Sequence, residues 1–230
     1  MKLRISCGIY EKERYGVEKM LKQQAITYKQ KAILILNDEQ SMCFSDINLA
    51  WVLKILAKGP LTIIDIQEGF RKHENEKSEK TLYRYLGKLL NLGLVAKAGK
   101  RITSVDEGIL ITETIYSRVA KVFISKKPKK FADGEIRHEF EVAKMLLSSI
   151  FDKKIGCGVC FTEIANRFDI EKHSLFVELL EHADPEALEQ FAELDWKGIN
   201  TVKEFVGWIA LCLKYDVQDV IKDCYNETNM

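Results

Sequence analysis

A chain of 230 residues has room for one large domain or two small ones, with length enough to bury a sizeable core. Its 47% hydrophobic and 30% charged content is ordinary for a globular protein. No apolar run is long enough to span a bilayer, and Met1-Lys2-Leu3-Arg4-Ile5-Ser6 leads into no signal-peptide pattern, so a cytoplasmic protein without a membrane partner is expected.

The net charge of +1 conceals a division. Residues 1–130 hold 25 Lys+Arg against 14 Asp+Glu, a balance of +11, while residues 131–230 hold 10 against 20, a balance of −10. Such asymmetry points to a polyanion-binding half joined to an acidic half with another task. Charge runs are often only solvated faces, so the basic half needs a motif before it implies a partner. The six cysteines, in a chain without an export signal, are expected to be reduced.

In chain order, residues 1–36 form a lysine-rich extension with an expected helix over 15–31 and a short strand over 32–36. Asn37-Asp38-Glu39 reads as a turn. The segment 46–58 has Ile47, Ala50, Trp51, Leu53, Ile55 and Leu56 at near-helical spacing and reads as a buried helix stopped by Gly59-Pro60. Thr62 and Asp65 have the spacing to cap the next helix, whose Ile63, Ile66 and Phe70 face the core. The polar stretch 73–77 reads as a loop.

Ser78 then caps a basic helix ending before Gly93, a residue suited to the left-handed stop. Leu82, Leu86, Leu89 and Leu90 form its apolar stripe. Lys80, Thr81, Arg84 and Lys88 lie largely off that stripe. Residues 94–98 and 109–116 are expected to pair as strands, with 99–108 as the loop between them, and the strand-forming composition extends to residue 124. Helix, helix, helix, strand, loop, strand is the order of a winged helix-turn-helix with a two-stranded wing.

Three phrases carry a family likeness: Gly59-Pro60-Leu61-Thr62-Ile63-Ile64-Asp65-Ile66, then Thr81-Leu82-Tyr83-Arg84-Tyr85-Leu86-Gly87-Lys88-Leu89 with Leu92-Gly93-Leu94-Val95, then residues 113–123. With them, residues 53–124 resemble the winged-helix transcription regulators of the ArsR-like superfamily, chiefly its archaeal-type members. The resemblance implies DNA binding as a dimer on a palindrome. The polar stretch before the basic helix is longer than the usual turn of three or four residues. The metal-sensing members carry a cysteine cluster on the recognition helix, and no cysteine lies between Cys43 and Cys157 here.

A DNA interface would draw on Lys77, Ser78, Lys80, Thr81, Tyr83, Arg84 and Lys88 of the helix and on Lys97, Lys100 and Arg101 of the wing. Arg84 is the candidate for a bidentate guanine contact, because its planar fork matches the O6 and N7 pair. Tyr83 has the reach for a phosphate or a thymine methyl.

Ser125-Lys126-Lys127-Pro128-Lys129-Lys130 reads as a linker, placed at 126–132. Helical text follows in an acidic domain, 133–230: one helix from about 136, one or two over 161–183, one capped by Asp184-Pro185, one opened by a Thr201/Glu204 capping box, and a last short one over 217–225. Cys157 and Cys160 form a CxxC. With His173 and His182 they could seat a zinc ion, although a pair of small buried residues beside a glycine turn explains them as well. Trp51, Trp196 and Trp208 are assigned to cores and interfaces, and His138 to the surface. The chain lacks a Walker loop, a dinucleotide fingerprint and a nucleophile elbow, so neither an enzyme nor a cofactor is expected.

The sequence therefore reads as a mainly α protein: a winged helix-turn-helix over 37–125, then an all-helical domain. Double-stranded DNA is the expected partner, and a homodimer the expected state. The acidic domain serves dimerisation, an effector or a protein partner. The rival reading is a winged helix that scaffolds a protein complex without binding specific DNA.

Overall fold

The computed structural model describes residues 22–106, 109–128, 138–151 and 158–216. The chain divides into two compact units, Met1–Phe123 and Ile124–Met230. The described residues are mainly α-helical, with two small sheets, one of four strands and one pairing β2 with β6.

In the first unit, strands β1 (Lys22–Ile26) and β2 (Lys31–Leu36) precede helix α1 (Asp38–Cys43). Helix α2 (Ile47–Leu56), the two-residue strand β3 (Leu61–Thr62), α3 (Ile63–Arg71) and α4 (Glu79–Asn91) follow. A long antiparallel ribbon of β4 (Val95–Asp106) and β5 (Ile109–Arg118) then leads into β6 (Ala120–Ser125). From α2 on, and apart from the two-residue β3, the order α2, α3, α4, β4, β5 is the one expected from sequence.

A side-chain cap opens each of α2, α3 and α4. Asp46 accepts from the backbone N–H of Asn48 at 3.0 Å. Thr62 and Asp65 form the expected capping box, with the Thr62 N–H donating to Asp65 Oδ2 at 2.9 Å. Ser78 Oγ accepts from the Thr81 N–H at 3.3 Å. Gly93, at φ +65°, closes α4 in the left-handed conformation. Val52, Leu56, Ile66, Phe70, Leu82, Leu86 and Leu89 interlock in the core between α2, α3 and α4, joined by Leu36, Leu94 and Tyr116.

Four local expectations are corrected. Residues 22–26, inside the helix expected over 15–31, are a strand, because their backbone pairs with Gly99–Thr103 of β4; tertiary pairing overrides the local preference of a Lys/Gln-rich segment. Asn37 is a helix cap and not a turn: its side chain accepts from the Gln40 N–H at 2.8 Å, and Gln40 reaches on to the Leu92 carbonyl at 2.9 Å. Most of the expected loop over 99–108 is strand, with Lys100 opposite Thr114 and Thr103 opposite Ile111. Gly99-Lys100 read as a turn in sequence, but Gly99 marks a register shift in the ribbon, as strand glycines often do. Finally, β4 and β5 do not stand as an isolated pair, since the sheet order is β1-β4-β5-β3.

The second unit contains α5 (His138–Phe151), α6 (Gly158–His182), α7 (Pro185–Ala192) and α8 (Trp196–Lys214). Leu175, Phe176, Val177, Phe191, Ile199 and Leu211 are its buried apolar residues. Residues 158–182 form one helix and not two. Asp184 precedes Pro185 at the N-cap of α7 but makes no side-chain cap bond. The Thr201 capping box does not form: α8 begins at Trp196 under Asp195, which accepts from the Gly198 N–H at 2.7 Å, and Thr201 bonds back to the Lys197 carbonyl inside the helix. Asp195 offers a helix start one and a half turns earlier, and burial of Ile199 favours it. Part of the expected linker and the helix expected over 217–225 lie outside the described residues.

Candidate nucleic-acid interface

Helix α4 is anchored from both sides. Leu82, Tyr85, Leu86 and Leu89 are buried against α2 and α3. The loop before it is pinned where Gln67 donates to the Lys77 carbonyl at 2.9 Å. The longer loop therefore delivers α4 with a defined start at Ser78, whose hydroxyl also lies 2.9 Å from the Thr81 hydroxyl.

Opposite the buried stripe, Lys80, Tyr83, Arg84 and Lys88 are exposed. Lys80, Arg84 and Lys88 recur every fourth residue, so they form a single cationic row along the helix. Like charges at that spacing oppose the isolated helix by a few tenths of a kcal/mol per pair. Among the described residues no carboxylate is ion-paired with these three, nor with exposed Lys97 and Lys100 of β4. The Arg84 guanidinium lies 5.6 Å from the Tyr85 ring centroid.

The flank toward the ribbon is different. Burial, then the charge of Glu79 and its hydrogen bond, then Glu113, push the Tyr83 hydroxyl above the ordinary phenol range. Tyr116 is raised by burial and then by Tyr83. Glu79 and Glu113 thus form an acidic edge around the Tyr83 hydroxyl, beside the cationic row. Sequence reading missed this edge: Glu79, one turn before Tyr83 on the same helix, is placed by helical period, whereas only the fold brings Glu113 of β5 beside α4.

Arg101 is not placed with the other candidates. Its side chain is 11% exposed, and its Nη1 lies 2.7 Å from Asp65 Oδ2 and 3.3 Å from Thr62 Oγ1. With the Gln24 carboxamide oxygen turned toward it, Arg101 donates to that oxygen from Nε at 2.8 Å and Nη2 at 2.7 Å. Arg101 therefore fastens β1 and β4 to the start of α3. Toward the far end of the ribbon, Ile102, Ile109, Leu110 and Ile111 are exposed.

The candidate zinc ligands are not brought together. Cys160, His173 and His182 all lie on α6. At 1.5 Å per residue, Cys160 and His173 are about 20 Å apart along the helix, and His173 and His182 about 13 Å. His173 is buried with Nε2 2.8 Å from the Ser125 carbonyl, and His182 Nδ1 lies 2.8 Å from the Glu178 carbonyl. Cys157 lies outside the described residues. Among the described residues no group of His, Cys, Asp and Glu is arranged to hold a metal. Trp196, assigned to a core or an interface, is 75% exposed and fills no core within the chain. Trp208 packs on Phe168 and under Lys172, whose Nζ is 4.4 Å from its ring. No helix among the described residues is long and apolar enough to cross a membrane.

No family model matches this chain, and no curated protein matches it. Among solved structures, the chain is similar to Bacillus subtilis PadR in complex with operator DNA, at 14% identity and a TM-score of 0.28, over 72% of this chain and 90% of that one. A likeness at that level assigns no family, and none of these comparisons carries the resemblance to the ArsR-like superfamily.

Proposed function

We propose that this chain is a sequence-specific, DNA-binding transcription regulator of the winged-helix type, with α4 as its recognition helix and the β4–β5 ribbon as its wing. One observation carries the reading: a rigidly seated helix presents Lys80, Arg84 and Lys88 in a row without carboxylate partners among the described residues. Lying beside phosphates relieves their mutual repulsion. Lys77, Ser78, Thr81 and Tyr83 border the row, and Lys97 and Lys100 extend it onto the ribbon. Phosphate contacts supply affinity and orientation, and Arg84 reads a guanine. A 13-residue helix reaches only a few bases, so specificity favours two copies on a two-fold site. The acidic helical unit is the part of the chain free to take an effector or a protein partner.

The test is selection from a random duplex pool by purified protein at low and moderate salt, beside a Lys80/Arg84/Lys88→Ala variant. A single palindromic sequence should be enriched by the wild type and lost by the variant. Affinity should fall steeply with salt, the slope easing by roughly one unit for each phosphate contact removed. No retention of any duplex at low salt would overturn the reading. A protein-binding module would then take its place, favoured by one observation: the exposed Ile102, Ile109, Leu110 and Ile111 on the ribbon.

A further inference from the structure

Of the glycines inside helices among the described residues, Gly198 lies in the first turn of α8 against its capping Asp195, and two others, Gly69 and Gly207, are explained by packing between elements. A Cβ on Gly69 of α3 would stand 2.9 Å from Ile55 Cγ2, and one on Gly207 of α8 would stand 3.3 Å from Lys172 Cβ. Each glycine lets two elements of the same unit come close.

Gly87 of α4 has no such reason. Its Cβ position has no atom of the described residues within 4 Å, apart from the backbone of its own helix. Its φ is not in the left-handed region that would demand glycine. A mid-helix glycine lowers helix stability relative to alanine, so Gly87 costs stability without easing any contact within the described structure. Its location gives the reason. Gly87 follows Tyr83 and Arg84 by one helical turn and Lys80 by two, on the side opposite buried Leu82 and Leu89. It is a notch in the row of long side chains proposed to meet DNA.

We infer that Gly87 is the point where the duplex comes closest to the α4 backbone, its missing side chain making room for the nucleic acid between Tyr83, Arg84 and Lys88. Long side chains on either side can then reach the groove floor and the phosphates together. A side chain at 87 would hold the helix off and lengthen all of those contacts at once. This inference rests on the DNA reading.

The experiment uses the full chain with Gly87→Ala and Gly87→Gln, neither of which changes charge. The probe is the duplex enriched by the wild type, with a random-sequence duplex beside it. Thermal midpoints should rise by a few degrees in both variants, since both residues favour helix over glycine. Affinity for the enriched duplex should fall about threefold for alanine and more than tenfold for glutamine. Higher thermal midpoints with unchanged affinity would overturn the inference and leave the DNA reading standing. Lower midpoints in both variants would also overturn it, by showing a packing role for Gly87 in the fold. If the wild type enriches and retains no duplex at low salt, the DNA reading falls and this inference with it.

Discussion

Arg101 of β4 and Asp65 of α3 form an ion pair of 2.7 Å that joins the ribbon to the N-terminus of the helix preceding α4. The Thr62 hydroxyl accepts from the same guanidinium nitrogen and donates to Asp65 Oδ2 at 3.0 Å. Three side chains thus set the angle at which the ribbon leaves the helical core. Removing Arg101 leaves a half-buried carboxylate without its cation. Arg101→Ala should destabilise the first unit by about 1.5–3 kcal/mol, the usual worth of hydrogen bonds to charged groups. Urea denaturation measures this. A change under about 0.5 kcal/mol would mean that the pair behaves like an exposed surface bridge.

The same carboxylate gives an acid limb to stability. Burial alone would raise Asp65. The Thr62 backbone N–H, the Thr62 hydroxyl and Arg101 together outweigh it and hold the carboxyl below its ordinary range. A depressed folded pKa contributes stability that is complete above the unfolded value, about 4, and lost as pH falls through the folded value. Asp65→Asn should therefore be less stable than wild type at pH 7, with the gap narrowing below about pH 4. Urea midpoints of both proteins at pH 7 and pH 3 check this, and a gap that does not narrow would refute it.

The helical core was legible in the sequence because its signals are local. Asp46, Thr62, Ser78 and Gly93 each act within one turn of their own helix, and the apolar spacing of α3 and α4 names most of the residues that become buried; in α2 it includes Ile47, which is exposed, and misses Leu49 and Val52. The ribbon was legible only in part, since strand pairing joins residues far apart in sequence. Nothing near Ile26 announces Gly99 as its neighbour, and nothing near Arg101 announces Asp65. Arg101 illustrates the limit for the candidate site as well. Its residue type suits phosphate as well as an internal ion pair, and only the register of β4 turns it inward while Lys100 faces out. The Lys80, Arg84, Lys88 row was readable, because helical period alone fixes it relative to Leu82 and Leu86. Cys160, His173 and His182 failed as a cluster because sequence spacing within one long helix separates residues along its axis.

Gly99 is the other side of that register. A Cβ there would lie 1.9 Å from the Ala25 carbonyl oxygen, so β1 can lie on β4 only over a glycine. Gly99→Val should release β1 while α2, α3 and α4 keep their core. In hydrogen exchange, the amides of residues 22–26 should lose protection, and those of Leu86 and Leu89 should keep theirs. Unchanged protection over 22–26 would show that the sheet accommodates the side chain by shifting β4.

The cationic row makes a prediction about stability that is independent of DNA. If Lys80, Arg84 and Lys88 repel one another in the free protein, replacing Arg84 by neutral glutamine should not lower the thermal midpoint and should raise it slightly, by up to roughly 0.5 kcal/mol in stability. Low salt should enlarge the gain and high salt should remove it. A clear loss of stability in Arg84→Gln would instead make the stacking of Arg84 on Tyr85 a support of the fold.

His173 supplies a pH dependence near neutrality to the second unit. Burial lowers its imidazole below the ordinary range, the hydrogen bond at the Ser125 carbonyl opposes that shift, and nearby Lys203 adds to it. The folded protein therefore favours the neutral ring, with Nε2 donating to Ser125. The unfolded chain takes up a proton at about pH 6.5, before the folded one does. The stability attached to the neutral ring is complete above about pH 6.5 and is lost as pH falls toward the folded value. His73, His138 and His182 are exposed and provide no comparable burial. Wild type should thus lose urea resistance between pH 7.5 and pH 5.5. A His173→Gln variant, whose amide can still donate to the carbonyl but does not titrate, should show a shallower slope over that range. Equal slopes in the two proteins would mean that another group carries the dependence and that the buried ring is protonated in the fold.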